Sequence, residues 1–295
     1  MLARSLLLLA SLALAAASPV RKQESSSCAQ KTPTLPVNGG DITAMLARSL
    51  LLLASLALAA ASPVRKQDST SCAQKTPALP VNGGATELAS PPQGSVLKYI
   101  AIGHGIQNYT CAAGQAAKAT GAVAVLYDAT ALYPGSGPKA LPSVEQFNAL
   151  TSAALWGTPL PLNADGTTKF GASASKPFKA KASLDIPGQK VPFLGLHYFD
   201  GAGVPTFLTG TSEADAKASV LKAFKVGDAP APASADPGPV GTGAVAWLYL
   251  GAKPGSRGFS AVYRVITAGG KPEACVDDKP QSVPYATYYW LYGSA

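Results

Sequence analysis

Residues 244–250 read Ala-Val-Ala-Trp-Leu-Tyr-Leu, and this stretch indicates the fold class most directly. Successive side chains of a strand point to opposite faces, so Val245, Trp247 and Tyr249 share one face. The residues between them are also apolar and share the other face. Because strands that are apolar on both faces are covered on both sides, we predict a central strand here.

Similar apolar runs surround this strand. Phe259–Ile266 and Val283–Tyr292 follow it, Val96–Gly103 and Ala122–Tyr127 precede it, and Gly- and Pro-containing turns separate the later runs. Short strands punctuated by turn residues are typical of sandwiches and barrels. We therefore predict an all-β or β-dominated domain over residues 95–295, an antiparallel sandwich or barrel-like fold with one or two short helices.

Two segments favour helices. Ser143 and Gln146 have the spacing of a capping box, and apolar side chains then recur at helical spacing, so Ser143–Leu155 is predicted to be helical. Ser212–Phe224 is predicted to be a second helix from the apolar residues near its end. The Pro-, Gly- and Ala-rich residues 228–243 that follow form either a linker or a long surface connection.

The composition is that of a turn-rich secreted β-protein. Charged residues make up 14% of the chain, whereas Gly (29) and Pro (25) are frequent. The net charge is +8, of which residues 62–295 keep +5, from 19 basic and 14 acidic residues. The densest basic cluster, Lys176, Lys179 and Lys181, is interpreted as a solvated loop or edge. The scattered charge therefore argues against a nucleic-acid partner.

The N-terminus has the three parts of a secretory signal peptide, over residues 1–17. Arg4 precedes an apolar run, Leu6–Ala17, that ends in small residues. The run is too short to span a bilayer, so we predict no membrane span. Residues 45–84 then repeat residues 1–40 with three differences.

The repeat predicts the organisation of the chain. Residues 18–61 are interpreted as a duplicated leader, in which Met45–Ala61 is a second signal peptide and Met45 the true start. Residues 62–94, rich in Ser, Pro and Gly, form a flexible entry segment to the domain at 95–295. We expect a secreted, extracellular protein.

The chain has two histidines, His104 and His197, which could face one another across a sheet. Asp200 follows His197 by three residues, and these three are the candidate catalytic residues. Two histidines fall short of the three or four ligands that zinc usually takes, so no metal site is predicted.

Aromatic residues concentrate near the C-terminus. Tyr288, Trp290 and Tyr292 share one face of the predicted last strand, and such a face can stack on sugars. These three are the candidate ligand-binding residues. The alternative is a core face with its hydroxyls at the rim.

Asn108-Tyr109-Thr110 is the single N-glycosylation sequon of the chain. Glycosylation at Asn108 requires an exposed side chain. A position within a strand, beside a buried Tyr109, would instead leave Asn108 bonded to backbone and unmodified. Both interpretations stay open.

Five segments, taken together, resemble a largely fungal, secreted family known as domain of unknown function 3455. In one-letter code they are GHGIQNYTC (103–111), GLHYF (195–199), GAVAWL (243–248), VYRVITAGG (262–270) and YATYYW (285–290). Their order and spacing cover roughly residues 80–293. The resemblance implies a single β-rich domain and supplies no catalytic residues.

Members of that family are sometimes labelled malate dehydrogenase, and the residues argue against that activity. A β-like run enters Gly103-His104-Gly105, and Asp128 stands where a ribose-binding acid could lie. However, Asn108 occupies the place of the third glycine in the dinucleotide fingerprint, and no strand–helix–strand alternation follows. We interpret the glycines as a β-turn or bulge between two strands and expect no NAD or other cofactor.

Three cysteines follow the second leader: Cys72, Cys111 and Cys275. An oxidising compartment favours one disulfide and one remaining thiol. The family that the chain resembles often has a further cysteine shortly after the position of Cys111, which this chain lacks. We therefore predict a Cys72–Cys275 disulfide that ties the entry segment to the last hairpin, with Cys111 buried and free.

These observations favour a non-enzymatic extracellular or cell-wall-associated protein that binds carbohydrate or a small ligand through aromatic side chains. The alternative is a secreted enzyme, a carbohydrate-active hydrolase that uses His104, His197 or Asp200. A cleft that joins these three side chains would favour the enzyme. An exposed aromatic face would favour the binding protein.

Overall fold

A computed structural model of the chain describes residues 76–210 and 219–295. Both leader copies, Cys72 and most of the helix predicted at Ser212–Phe224 lie outside these residues. The body of the chain, Gln74–Ala295, forms one compact unit.

Strands dominate the described residues. They are β1 (Ser95–Thr110), β2 (Lys118–Asp128), β3 (Leu184–Ile186), β4 (Gln189–Val191), β5 (Phe193–Phe199), β6 (Pro205–Thr209), β7 (Val220–Ala229), β8 (Trp247–Ala252), β9 (Ala261–Gly269) and β10 (Gln281–Ser294).

Eight of these strands close into an antiparallel barrel in the order β1-β10-β9-β8-β7-β6-β5-β2, and β3 and β4 form a separate hairpin. The long strand β1 closes the barrel, because it pairs with β2 on one side and with β10 on the other. The β1–β10 ladder runs from the pair Ser95–Ser294 to the pair Tyr109–Gln281. The predicted β-dominated fold is therefore confirmed, and closure makes it a barrel rather than a sandwich.

The barrel wall is apolar on both faces. An interior core receives side chains from alternate positions of the barrel strands, among them Ala124, Leu126, Phe207, Leu221, Val262 and Tyr289. An outer core lies between the opposite face of the wall and the helices, and it includes Ile102, Tyr127, Phe147, Leu155, Tyr263 and Trp290. The two-faced pattern of residues 244–250 follows from this arrangement: Leu250 belongs to the interior core, and Trp247 to the outer core.

The predicted helix at Ser143–Leu155 is present as two consecutive short helices, α1 (Val144–Asn148) and α2 (Leu150–Gly157). The hydroxyl of Ser143 accepts a hydrogen bond from the Gln146 amide at 3.2 Å, so Ser143 is the N-cap. Both helices pack against the outer face of the barrel through buried residues such as Phe147 and Leu155.

The second predicted helix, Ser212–Phe224, is wrong where the structure describes it. Residues from Val220 onward belong to strand β7. Leu221 lies in the interior core, whereas Phe224 is 48% exposed. Over so short a segment, these apolar residues fit the spacing of a helix and that of a strand equally well. The segment forms a strand because it pairs with β6 and β8.

The two segments predicted as loops flank this core. Residues 76–94 contain no helix or strand, yet Leu79 and Leu88 pack against the outer core. Residues 230–246 join β7 to β8 within the same unit, so they are a surface connection and not a linker between domains.

None of the helices in the two described ranges is long and apolar enough to cross a membrane.

Candidate functional site

The first candidate catalytic residue, His104, lies on the outer face of β1 beneath α2 and is 1% exposed. Its Nδ1 lies 3.3 Å from Oγ1 of Thr158. That hydroxyl donates to the Ala154 carbonyl, so Nδ1 of His104 must carry the proton and donate. The Nε2 atom is buried without a partner among the described residues. Burial lowers the pKa of His104 to about 4, so the ring is neutral.

The second candidate, His197, lies inside the barrel, on the opposite face of the wall from His104. Its ring stacks on Phe207 at 4.0 Å and meets the edge of Tyr289 at 5.3 Å. Nδ1 donates to the Thr206 carbonyl at 3.0 Å, because a carbonyl can only accept. Burial again lowers the pKa to about 4. The residue fills the interior core.

Polar side chains surround His197 in the interior core. The hydroxyls of Tyr285 and Tyr289 lie 2.9 Å apart. Burial raises the pKa of Tyr289, and the nearby Arg264 opposes that rise. The guanidinium of Arg264 donates to the Ala246 carbonyl at 2.8 and 3.1 Å. This network is packed among apolar side chains and ties the wall strands together.

The third candidate, Asp200, shapes the turn after β5. Its Oδ1 accepts from the amides of Ala202 and Val204, each at 3.0 Å. Its Oδ2 lies 3.5 Å from Nζ of Lys222. These backbone hydrogen bonds lower the pKa of Asp200, with a smaller contribution from Lys222. Each of the three candidates thus has a structural role in a separate environment, and the structure does not bring them together into one cleft.

The predicted ligand-binding face is part of the outer core. Tyr288 and Trp290 are fully buried, and Tyr292 is 6% exposed. Tyr288 stacks on Phe147 at 4.5 Å and donates its hydroxyl to the Phe147 carbonyl at 2.7 Å. The ring of Tyr133 meets Trp290 edge to face at 5.7 Å. The three residues therefore form a core face, which was the alternative interpretation, and they leave no exposed aromatic surface on which a sugar could stack.

The cysteine pairing also differs from the prediction. Cys275 is bonded to Cys111, which stands one residue beyond the end of β1, and not to Cys72. Cys111 is therefore not a free thiol. The crosslink is local in space although 164 residues separate its ends in sequence, since β1 and β10 are neighbours in the barrel.

The segment Gly103-His104-Gly105 lies in the middle of β1, not at a turn as the sequence suggested. A Cβ atom at Gly105 would clash with the Val123 carbonyl of the neighbouring strand. A Cβ atom at Gly103 would clash with the ring of Tyr289. Close packing of the wall therefore accounts for both glycines.

A groove of about 610 Å³ lies between the outer face of the barrel and residues 159–181, which we call the cover loop. Strands β1, β2, β5 and β10 provide its floor. Its aromatic lining comes from Tyr109, Phe178, Tyr198 and Phe199, and its polar lining includes Asn108, Thr120, Ser173, Gln281 and Ser282. A second hollow of about 410 Å³ adjoins it and shares Thr167, Thr168, Pro280, Gln281 and Ser282.

Internal hydrogen bonds hold the cover loop in place. The Asn163 side-chain amide donates to the carbonyls of Lys176 and Phe178 at 2.9 and 3.1 Å. The Asp165 carboxylate accepts from the hydroxyl and the amide of Thr167, and these bonds lower its pKa. A long loop with its own hydrogen bonds is a common carrier of binding residues.

Two of the aromatic side chains of the groove, those of Phe178 and Tyr198, are available for contact. Phe178 and Tyr198 are each half-buried, and their rings meet edge to face at 6.5 Å. The oxygen of Asn108 accepts from the Ser282 hydroxyl at 2.9 Å, so its partner is a side chain and not the backbone. Glycosylation of Asn108 stays a prediction, and a glycan on this residue would start inside the groove.

The groove could not be recognised from the sequence. Phe178 lies between Lys176 and Lys179 in a segment that we interpreted as solvated, and the three lysines of that cluster are indeed exposed. The bridge between Leu162 and Phe178 folds the cover loop back on itself, and the ring contact of Phe178 with Tyr198 places the loop over β5. In the described part of the chain, no three His, Cys, Asp or Glu side chains are grouped to hold a metal ion.

Comparison with known proteins gives one match. The model of a family described as "Protein of unknown function (DUF3455)" matches residues 91–293, which confirms the resemblance drawn from the sequence. Neither the search of curated proteins nor that of solved structures returned a match.

Proposed function

We propose that this chain, which belongs to the DUF3455 family of proteins of unknown function, is a secreted, non-enzymatic protein that binds a neutral carbohydrate in the groove under the cover loop. The observation that carries the proposal is the lining of the groove, in which half-buried aromatic rings alternate with hydroxyl and amide groups. Few, well-placed polar groups among apolar side chains are typical of small-molecule sites.

The chemistry of the lining supports a neutral ligand with many hydroxyls. The faces of sugar rings are apolar, so they can contact Phe178 and Tyr198. Their hydroxyls can exchange hydrogen bonds with amide groups such as Asn108 and Gln281. The adjoining hollow extends the concave surface, which suits an oligosaccharide better than a single sugar.

Binding is favoured over catalysis. A glycosidase needs two carboxyl groups that act as a pair. Asp165 is the one carboxylate among the described residues that line the groove, and its oxygens already accept hydrogen bonds from Thr167. The adjoining hollow contributes one further carboxylate, that of the exposed Glu273, which does not line the groove, so the two carboxylates do not share one lining. The two histidines lie in the interior core and beneath α2.

Export is supported by the leader and by the disulfide. The chain starts with the parts of a signal peptide, and disulfides persist in oxidising compartments. We expect the secreted species to begin at or after Ser62, as intact-mass analysis of the culture medium would show. A secreted species that begins at Ser18 and keeps residues 50–61 would contradict the proposed start at Met45.

The binding proposal is tested by calorimetry with neutral trisaccharides of glucose, xylose and N-acetylglucosamine, on protein made without N-glycosylation so that the groove is open. Tyr198→Ala should weaken the binding of the preferred trisaccharide about tenfold. Loss of an aromatic contact costs about 1.5 kcal/mol, and 1.4 kcal/mol corresponds to a factor of ten. Phe178→Ala should have a similar effect, and the double variant should lose less than the sum because the rings touch.

Phe224→Ala is the matched control, because Phe224 is an exposed aromatic residue of β7 that does not line the groove. It should bind as the wild type does. Tyr198→Phe, which keeps the ring, should retain most of the affinity and shows whether Tyr198→Ala acts through contact or through misfolding. The proposal fails if no trisaccharide binds, or if Phe224→Ala weakens binding as much as Tyr198→Ala does.

A further inference from the structure

The single N-glycosylation sequon of the chain forms the end of strand β1, and its acceptor residue, Asn108, lines the groove. Asn108 pairs with Ser282 of β10 on one side and with Gly121 of β2 on the other. Gly121 has no side chain, and the ring of Phe199 lies beside the place that a side chain would take. The acceptor residue therefore stands inside the groove, near one of its aromatic rings.

The side-chain amide of Asn108 is oriented so that its nitrogen is open to an attached sugar. Its Oδ1 accepts a hydrogen bond from the Ser282 hydroxyl at 2.9 Å, which fixes the plane of the amide. Nδ2, the atom to which an N-glycan is attached, donates to none of the described residues. Asn108 is half-buried, and Nδ2 is not enclosed by the described protein. A glycan on Nδ2 therefore breaks no internal hydrogen bond.

The order of synthesis makes Asn108 accessible to modification although it lies within a strand. Chains are made from the N-terminus, and sequons are glycosylated on the unfolded chain as it enters the secretory pathway. Ser282 follows Asn108 by 174 residues, so the sequon is exported before its partner strand β10 has been made. The folded protein only has to provide room for the glycan.

The groove has the size and the lining for the inner part of an N-glycan, which is a pair of N-acetylglucosamine residues. Its volume of about 610 Å³ lies within the range of roughly 300–1,000 Å³ that holds a drug-sized ligand, and a disaccharide is of that size. The apolar faces of the sugar rings can contact Phe178 and Tyr198. The uncharged acetamido groups can exchange hydrogen bonds with hydroxyls such as that of Thr120.

Attachment to Asn108 makes this contact intramolecular. A ligand on a short flexible linker has an effective concentration in the millimolar range, roughly 1 mM. A sugar that binds with a dissociation constant of about 1 mM therefore occupies the groove for about half of the time. Even weak contacts with the aromatic rings are sufficient to keep an attached glycan in place.

We propose that Asn108 is N-glycosylated and that the first two N-acetylglucosamine residues of its glycan lie in the groove, against Phe178 and Tyr198. The groove then holds a ligand that the chain itself carries, and free oligosaccharide binds there only in competition with that ligand. This inference rests on the proposed function, because it takes the groove as a carbohydrate site and the chain as secreted.

Secretion of the full chain from a eukaryotic host tests the modification. Intact-mass analysis of the wild type should show one N-glycan, and peptide mapping should place it on Asn108. Thr110→Ala, which breaks the sequon but leaves Asn108 in place, should lose the glycan. Thr110→Ser is the matched control and should keep it, because serine also completes the sequon. A secreted wild type without a glycan on Asn108 would overturn the proposal.

NMR of the secreted protein, from cells supplied with ¹³C-labelled N-acetylglucosamine, tests where the glycan lies. The resonances of the two inner sugars should lie upfield of their positions in the denatured glycoprotein, because protons above an aromatic face are shielded. This upfield shift should shrink in Phe178→Ala and in Tyr198→Ala. It should remain in Tyr198→Phe, which keeps the ring, and in Phe224→Ala, which alters an exposed aromatic residue outside the groove.

Two NMR results contradict the proposal. Wild-type sugar resonances at their denatured positions would mean that the glycan extends into solvent. An upfield shift that survives in both alanine variants would place the sugars against another surface.

The proposed function is tested separately, by calorimetry on protein without the glycan. If no trisaccharide binds there but the glycan is shifted upfield, the binding of free carbohydrate fails and this inference holds. If a trisaccharide binds but the glycan is not shifted, this inference fails and the proposed function holds.

Discussion

Replacing both cysteines of the Cys111–Cys275 disulfide with alanine should lower the free energy of unfolding by about 5 kcal/mol at most. The crosslink closes a loop of 164 residues, and the chain-entropy model assigns about 5 kcal/mol at 25 °C to a loop of this length. In the folded protein, the crosslink lies next to the last pair of the β1–β10 ladder, Tyr109–Gln281. The ladder holds β1 against β10 without the disulfide, so we expect the effect to arise mainly in the unfolded chain.

The assay is urea unfolding of the wild type and of the double variant Cys111→Ala/Cys275→Ala. The midpoint should fall, and the slope of free energy against urea should rise, because an unfolded chain without the crosslink exposes more surface. The single variant Cys111→Ala should be as unstable as the double variant, since either change removes the same bond. The wild type in excess reductant serves as the third comparison and should approach the double variant.

An unchanged midpoint in the double variant would refute this reasoning. So would peptide mapping under non-reducing conditions that finds Cys275 linked to Cys72. The first result would mean that the crosslink does not constrain the unfolded chain as the entropy model requires, and the second that the neighbourhood of β1 and β10 does not determine the pairing.

Two further outcomes follow from the buried polar groups. Tyr288→Phe removes the hydrogen bond to the Phe147 carbonyl and should lower the free energy of unfolding by about 1 kcal/mol in thermal melts, while carbohydrate binding in the groove stays unchanged; a loss of binding at unchanged stability would restore Tyr288 as a ligand contact. Burial lowers the pKa of His104 and His197 to about 4, below the value of about 6.5 in an unfolded chain, so the unfolded state binds more protons between these two values. The free energy of unfolding should therefore fall as the pH drops from about 6.5 to about 4, as urea unfolding at stepped pH would measure. His197→Phe should make that fall shallower, and an equally steep fall would contradict the burial of His197.

Local features of the fold were predictable. The Ser143 cap depends on a hydrogen bond to an amide three residues away, so its signal is complete within a short segment. The apolar pattern of residues 244–250 likewise indicates a strand covered on both faces, whichever strands become its neighbours. By contrast, the segment at Val220–Phe224 has too few apolar residues to separate a helical period from a strand period, and its pairing with β6 decided the outcome.

The candidate site could not be predicted from the sequence, because it depends on which side chains the tertiary structure covers and which it brings together. Tyr288 and Trp290 look the same in sequence whether their face is exposed or covered. Only the tertiary packing buries them, since Phe147 of α1 stacks on Tyr288 and Tyr133 packs against Trp290. His104 on β1 and His197 on β5 lie on the two strands that flank β2, but they point to opposite faces of the wall.

By itself, the sequence determined the β-dominated class, the helix start at Ser143, the leader repeat and the family, because each of these depends on residues that are close together or on a pattern carried by the whole chain. The tertiary structure alone decided the barrel closure, the Cys111–Cys275 pairing and the groove under the cover loop. All three depend on contacts between residues far apart in the chain, and closing the barrel through β1 and β10 brings the two ends of the domain together.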